Sequence, residues 1–276
     1  MKIMLPANGR INSTALLYHA LTATEHEVVA IHFVNSSTPG DKDTLNNRDL
    51  IFRTGFDNTN AWLMENAREF ETQYSSINNT DVNGMAFDDE ELVPIRNGFT
   101  VQKFIYQQKC LYSNYGRQAA LIEPNVVWLP ETLWDQVFDT GYNNRLLNVY
   151  KGHTAIPLIK PFATTLPRGI VFNYKNTPLD LAAVSARCET NLDQNIPCGT
   201  CYSCVVNYFY NTFCLGWNDT QLAAIEDHIN SIIKVGKYFT EARAETYFSG
   251  ELYKSLNDIS YWSDYLAQYK LIGLGD

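Results

Sequence analysis

The chain has 276 residues, of which 45% are apolar, 18% are charged and 13% are aromatic. An ordinary apolar content without a block of like charges excludes a disordered chain, and the length allows one large domain or a domain with an appendage, with a sizeable core. The net charge of −9 and the pI near 5.0 lack the electrostatic footprint of a protein that binds duplex DNA.

The first residues give no export or membrane signal. The apolar run at Met1–Pro6 is too short for a signal peptide or a membrane-spanning helix. We therefore expect a cytoplasmic protein, located in the host cytoplasm if the source is a virus.

The first predicted elements form a βαβ unit. Residues 2–5 predict a strand, and the segment Pro6–Asn12 predicts a turn around Asn8-Gly9. The apolar spacing over Ser13–Ala23 predicts a helix that Asn12 or Ser13 caps. The β-branched run Glu27–Val34 then predicts a buried parallel strand.

Strands and helices continue to alternate beyond this unit. We predict a polar loop over 35–48, a helix over 61–70, an acidic surface loop over 78–91, a helix over 99–121, a strand over 126–129, a helix over 141–150, a strand over 155–159 and a short helix over 177–184. This order predicts an α/β domain over 1–185 with a mainly parallel sheet. Residues 186–276 are predicted to form a cysteine-containing segment and a helical C-terminal region, with a helix over 218–236.

Four of the six cysteines fall within seventeen residues, in the pattern Cys188-x9-Cys198-x2-Cys201-x2-Cys204. In a chain without an export signal, this clustering favours a metal site over disulfides. Four thiolates close a tetrahedral shell around Zn²⁺ and leave no open position, so the zinc would be structural. An iron–sulfur cluster, a redox-active pair and free thiols stay open as alternatives.

A glycine-containing loop, Asn8-Gly9-Arg10-Ile11-Asn12-Ser13-Thr14, follows the first strand and leads into a helix. A helix N-terminus presents free backbone N–H groups and the positive end of the helix dipole, so this junction is suited to binding phosphate. Most strand–turn–helix junctions bind nothing, and the pattern alone leaves that alternative open.

The loop and the cysteine segment together resemble the PP-loop ATP pyrophosphatases, and within them the 7-cyano-7-deazaguanine synthases. Leu5–Leu21 is similar to that family's Ser-Gly-Gly-x-Asp-Ser-Thr-type loop and first helix. Val93-Pro94-Ile95-Arg96-Asn97 is similar to its Val-Pro-Gly-Arg-Asn stretch, and Pro197–Cys204 to its Pro-Cys-Gly-x-Cys-x-Ser-Cys stretch. The resemblance covers roughly residues 2–210.

The resemblance implies a doubly wound sheet of nucleotide-hydrolase type and an ATP-dependent synthase. Such an enzyme adenylates a deazapurine carboxylate and converts it with ammonia toward the nitrile. It also implies a set of site residues. ATP binding is expected at Asn8, Gly9, Arg10, Ser13 and Thr14, with Mg²⁺; catalysis at Asn12, Ser13 and Arg96, with Asn97 close by; substrate recognition at Asp139; and zinc binding at Cys188, Cys198, Cys201 and Cys204. The expected partners are the deazapurine and ATP, without a membrane or direct nucleic-acid binding, and a homodimer stays open.

The loop departs from the family at three positions. Asn8 replaces a serine, Arg10 replaces a glycine and Asn12 replaces an aspartate. Ile95 likewise replaces a glycine, whereas the four cysteines are all present. These departures favour a second hypothesis, a degenerate relative that binds a nucleotide or a partner protein without turnover. A third, a zinc-stabilised nucleic-acid module, conflicts with the acidic charge.

Overall fold

The computed structural model describes residues 1–77, 94–96, 99–131, 140–163, 177–194, 196, 198, 218–220 and 223. Seven strands occur within these residues: β1 (Lys2–Pro6), β2 (Glu27–Val34), β3 (Glu71–Ser76), β4 (Pro94–Arg96), β5 (Phe99–Thr100), β6 (Val126–Trp128) and β7 (Leu158–Ile159). The helices are α1 (Ile11–Ala23), α2 (Asn47–Asn66), α3 (Val101–Ile122), α4 (Thr140–Lys151) and α5 (Leu179–Val184), with a short 3₁₀ turn at Lys42–Thr44.

Five strands form one sheet in the order β3-β2-β1-β6-β7, and every neighbouring pair is parallel. Strands β4 and β5 make a separate antiparallel pair. Strand order runs outward from β1 in both directions, because β2 and β3 lie on one side and β6 and β7 on the other. The reversal between β1 and β6 is a topological switch point, and ligands of open α/β sheets bind outside the carboxyl ends of the strands at such a point.

Helices cover both faces of the sheet, which confirms the predicted doubly wound α/β architecture. Alternate residues of a strand point to opposite faces. Leu5 therefore packs with α1, α2 and α5, whereas Met4 packs with α3 and α4. Both clusters consist of fully buried aliphatic and aromatic side chains, as a sheet covered on two faces requires.

Two differences from the predicted elements occur where the sequence is polar. The structure has helix α2 over Asn47–Asn66, where a loop to residue 48 and a helix over 61–70 were predicted. Asn46 caps it by accepting the Asp49 N–H at 3.0 Å. Strand β3 was not predicted, since its sequence Glu-Thr-Gln-Tyr-Ser-Ser has a polar character that suits the edge of the sheet.

Smaller differences concern the ends of the elements. The N-cap of α1 is Arg10 rather than Asn12 or Ser13, and the strand predicted over 155–159 is confined to Leu158–Ile159. The predicted loop over 78–91, most of the helix over 218–236 and the C-terminal region lie outside the described residues, and the division at 185/186 stays a prediction. Among the helices that the structure does describe, none combines the length and the apolar character that crossing a bilayer demands.

Candidate functional site

The loop between β1 and α1 lies at the carboxyl end of β1, next to the switch point. The Asn8 side chain closes this loop from within. Its Oδ1 accepts the Arg10 N–H at 3.1 Å and the Ser13 hydroxyl at 2.9 Å, and the Asn8 N–H is donated to Ser13 Oγ at 3.3 Å. Asn8 and Ser13, both predicted to bind ATP, thus hold the loop in shape.

Gly9 is required where the loop meets helix α2. Its φ of +69° is unfavourable for residues with a Cβ, and a Cβ built there would lie 2.2 Å from the Phe56 nitrogen and 2.5 Å from the Phe52 carbonyl oxygen. The Gly9 carbonyl accepts the Ala186 N–H at 2.7 Å. Backbone contacts therefore help to hold the loop between α2 and the segment that precedes Cys188.

The N-terminus of α1 has no side-chain cap. The first N–H groups of a helix have no partner within the helix, so those of Ile11, Asn12 and Ser13 are available to a ligand. Thr14, in the same turn, is 3% exposed, and its Oγ1 has no hydrogen-bond partner in the described part of the chain. A buried hydroxyl without a partner is costly, and a phosphate oxygen at the helix N-terminus would satisfy it.

His32 lies beneath the loop at the end of β2. Its Nδ1 is 3.0 Å from the Ala7 carbonyl oxygen, and its ring stacks on Phe56 with centroids 5.0 Å apart. Burial lowers the pKa of His32 to about 4, with the Ala7 hydrogen bond opposing the effect. The imidazole is therefore neutral at physiological pH, and Nδ1 donates its proton to Ala7. The histidine supports the end of β1, a role that its position in a β-branched run did not indicate.

Arg10, a predicted ATP ligand, contacts the cysteine segment. Its Nη2 lies 3.3 Å from Glu189 Oε1, while Arg48 Nη2 lies 2.9 Å from Glu189 Oε2. The two guanidinium carbons stand 5.6 Å and 5.2 Å from the centroid of the Phe52 ring. Neither Glu189 nor Arg48 was singled out in the sequence, since both are isolated charges far apart along the chain.

A second polar group lies at the carboxyl ends of β6 and β7, on the other side of the switch point. Glu131 Oε2 is 2.5 Å from Lys160 Nζ, and its Oε1 accepts the Tyr112 hydroxyl at 2.6 Å. The Lys160 ammonium also lies 5.5 Å from the centroid of the Tyr112 ring. These side chains are mostly buried, so they are placed at the same sheet edge as the loop with fixed orientations.

Asp57 on α2 is the centre of a third polar network. Lys42 Nζ lies 2.7 Å from it, the Tyr74 hydroxyl donates to it at 2.8 Å, and Arg53 Nε lies 3.1 Å away. Burial would raise the pKa of Asp57, but the hydrogen bonds from Lys42, Tyr74 and Arg53 together lower it. Because Arg53 also donates to the Pro39 carbonyl at 2.6 Å, the network fastens the chain that follows β2 to α2.

Cys188 has the surroundings of a thiolate ligand. The residue is fully buried, and its Sγ lies 3.5 Å from the Thr190 nitrogen and 3.4 Å from the Asn191 nitrogen, both of which donate to it. Backbone N–H groups that donate to sulfur are typical of cysteines that bind metal, so Cys188 fits a structural zinc or an iron–sulfur cluster.

Of the other three predicted metal ligands, the structure describes Cys198. Cys198 is partly exposed, and Cys201 and Cys204 lie outside the described residues. Within the described ranges, His, Cys, Asp and Glu side chains do not form any group of three suited to a metal ion. The four-cysteine shell stays a prediction.

The other predicted site residues are only partly described. Asn12 is half-buried in the first turn of α1, beside Ser13 and Thr14. Arg96 ends β4, in the small hairpin, and its side chain is not described. Asn97 and Asp139 lie outside the described residues. The structure therefore brings together the loop residues and leaves open whether Arg96 joins them.

Comparison with known proteins assigns no family to the chain. No family model matches, and no curated protein matches. Among solved structures, the chain is similar to the U34-tRNA thiolase NcsA from Methanococcus maripaludis with its 4Fe-4S cluster. Sequence identity is 12%, the TM-score is 0.36, and the match covers 96% of this chain and 73% of that one. A TM-score of this size is too low to assign a function.

Proposed function

We propose that the protein is an ATP-dependent enzyme of PP-loop type that activates a deazapurine carboxylate by adenylation. The observation that carries ATP binding is the uncapped N-terminus of α1 with the buried Thr14 hydroxyl, at the carboxyl edge of the sheet beside the switch point. The choice of a deazapurine rests on the resemblance of the cysteine segment and the loop to 7-cyano-7-deazaguanine synthases.

The phosphates of ATP would lie against the first turn of α1. The N–H groups of Ile11, Asn12 and Ser13 would donate to them, and Thr14 Oγ1 would add a hydroxyl donor. Negative charge builds up on pyrophosphate as it leaves, and the positive end of the α1 dipole stabilises it there.

Bound Mg²⁺ would neutralise part of the phosphate charge. Magnesium prefers oxygen ligands and keeps several waters. The first turn of α1 contains no acidic residue, because Asn12 stands where the resembled family has an aspartate. The phosphates and water would therefore supply most of the ligands, and the Asn12 amide oxygen would take the place of the carboxylate.

The proposed reaction begins when a substrate carboxylate oxygen attacks the α-phosphorus of ATP and pyrophosphate leaves, giving an acyl adenylate. Ammonia then attacks the acyl carbon, AMP leaves and an amide forms with loss of one proton. A second ATP would activate the amide oxygen in the same way with release of pyrophosphate, and loss of AMP and of both amide protons gives the nitrile. Adenylation is needed because a carboxylate is a poor electrophile.

The acceptor would occupy the β6–β7 side of the switch point. There the Lys160 ammonium would hold the substrate carboxylate, and the Glu131 carboxylate would take the proton that ammonia loses. Both groups are mostly buried and oriented by Tyr112. Zinc in the cysteine segment would be structural, since four thiolates leave no position for substrate.

A second candidate, binding without turnover, is favoured by a specific observation. The Asn8 amide and the Ser13 hydroxyl are engaged in closing the loop, and Arg10 contacts Glu189. These groups would have to exchange partners before they could serve ATP. A loop that binds nucleotide only through backbone N–H groups would hold ATP but supply little stabilisation of the leaving pyrophosphate.

One experiment separates the two. The purified protein is incubated with ATP, Mg²⁺, ammonia and 7-carboxy-7-deazaguanine, while ATP binding and release of pyrophosphate and AMP are measured. Substrate-dependent release of both products supports the enzyme. ATP binding without release supports the second candidate. A protein that does not bind ATP would refute the enzyme and the nucleotide-binding form of the second candidate.

A further inference from the structure

Glu189 provides an internal anion beside the candidate phosphate loop. Each of its carboxylate oxygens faces a different guanidinium, Oε1 that of Arg10 at 3.3 Å and Oε2 that of Arg48 at 2.9 Å. The Glu189 side chain is 11% exposed, against 24% for Arg10 and 55% for Arg48. The Arg10 contact is therefore the better shielded of the two, and solvent weakens the Arg48 contact more.

The position of Glu189 is set by the backbone. Ala186 forms a parallel bridge with Arg10, and its N–H is donated to the Gly9 carbonyl at 2.7 Å. On the far side of Glu189, the Asn47 side-chain amide donates to the Thr190 carbonyl at 2.8 Å. The carboxylate is thus held next to the loop by contacts on both sides along the chain.

We propose that Glu189 sets the affinity of this site for polyphosphate, because its carboxylate competes with the ligand for Arg10. The inference rests on the proposed function, since it requires a triphosphate at the N-terminus of α1. Guanidinium groups bind both carboxylate and phosphate oxygens, so a phosphate oxygen can take the place of the Glu189 oxygen that Arg10 contacts. Glu189 also repels the ligand, because both are anions.

The direct test is Glu189→Gln, which keeps the size of the side chain and removes its charge. Tripolyphosphate and ATP are titrated calorimetrically into the full-length protein at low salt. We expect binding to become on the order of fivefold tighter, the size of one close pair interaction at a partly exposed site. The gain should shrink as salt is added. The matched control is Glu25→Gln, the same change at an exposed residue next to β2, which should bind as the wild type does.

A double variant assigns the gain to Arg10. When Arg10 is already replaced by Gln, the further change Glu189→Gln should give a smaller gain, because only the release of Arg48 and the relief of repulsion remain. Glu189→Asp, whose shorter side chain keeps the charge but retreats from both arginines, should fall between the wild type and Glu189→Gln. It serves as the second variant if Glu189→Gln fails to fold.

The outcomes are distinct. Unchanged or weaker binding in Glu189→Gln, or a gain that is just as large when Arg10 is replaced, would overturn the inference while leaving the proposed function in place. If neither the wild type nor any variant binds ATP or tripolyphosphate, the proposed function fails and the inference falls with it. Tighter binding of tripolyphosphate and ATP alike assigns the effect to the phosphates; a gain for ATP alone would contradict it.

Discussion

Replacement of Gly9 by alanine tests whether the loop is packed as the structure shows. The backbone there has φ +69°, which costs a residue with a Cβ about 1–2 kcal/mol. The new methyl group would also lie 2.2 Å from the Phe56 nitrogen and 2.5 Å from the Phe52 carbonyl oxygen. Both neighbours are backbone atoms of α2 and cannot move aside like the end of a side chain, so overpacking adds about 1–3 kcal/mol.

The two contributions predict that Gly9→Ala lowers the free energy of unfolding by about 2–5 kcal/mol, a large share of the stability of an ordinary domain. The assay is urea-induced unfolding followed by circular dichroism. Gly40→Ala is the matched control, because a Cβ there meets no atom within 4 Å, and it should change the stability by less than about 0.5 kcal/mol. A Gly9→Ala protein within about 1 kcal/mol of the wild type would refute the packing of the loop against α2.

Three further predictions follow from single groups. Thr14→Val removes a buried hydroxyl that has no hydrogen-bond partner among the described residues. The free energy of unfolding in urea should stay level or rise by about 1 kcal/mol, whereas ATP should bind about tenfold more weakly by calorimetry. An unchanged ATP affinity would contradict the proposed site. His32 has a pKa of about 4 in the folded protein against 6.5 ordinarily. As the pH falls, the unfolded chain therefore takes up the proton before the folded protein does. The contribution of neutral His32 to the free energy of unfolding is complete above pH 6.5 and is lost as the pH falls toward 4. Urea titrations should show a loss of about 2 kcal/mol in the free energy of unfolding between pH 7 and pH 5. The variant His32→Gln should not show this loss. The same pH dependence in the variant would assign the loss to other groups. Finally, elemental analysis of the intact protein should find about one zinc per chain, and Cys188→Ser should lose it. Iron with inorganic sulfide would support the iron–sulfur cluster instead. A wild-type protein without metal would rule out both the zinc site and the cluster.

The architecture could be predicted from the sequence because β1, α1 and β2 carry unambiguous signals. Strand β2 is a β-branched run, and α1 repeats apolar residues at helical spacing. Helix α2 begins earlier than predicted, because its first residues, Asn47-Arg48-Asp49, are polar and resemble a loop. The sequence signal for its beginning is the Asn46 cap.

The candidate site was predicted only in part, for a physical reason. Gly9, Ser13 and Thr14 follow one another in a loop with a recognisable pattern, so their proximity is local. Glu189 and Arg10 are far apart in the sequence. Their contact arises only when the segment at Ala186 pairs with the loop. The replacement of glycine by Arg10 was visible in the sequence, but its partner was not.

The most direct test of the central claim is a titration of ATP into ¹⁵N-labelled protein, followed by the backbone amide resonances. The proposed site predicts that the amides of Ile11, Asn12 and Ser13 shift most, with saturation at one ATP per chain, and that the amide of Glu25 stays in place. No shift at saturating ATP, or shifts confined to residues away from the first turn of α1, would contradict the assignment of this helix terminus as a phosphate site.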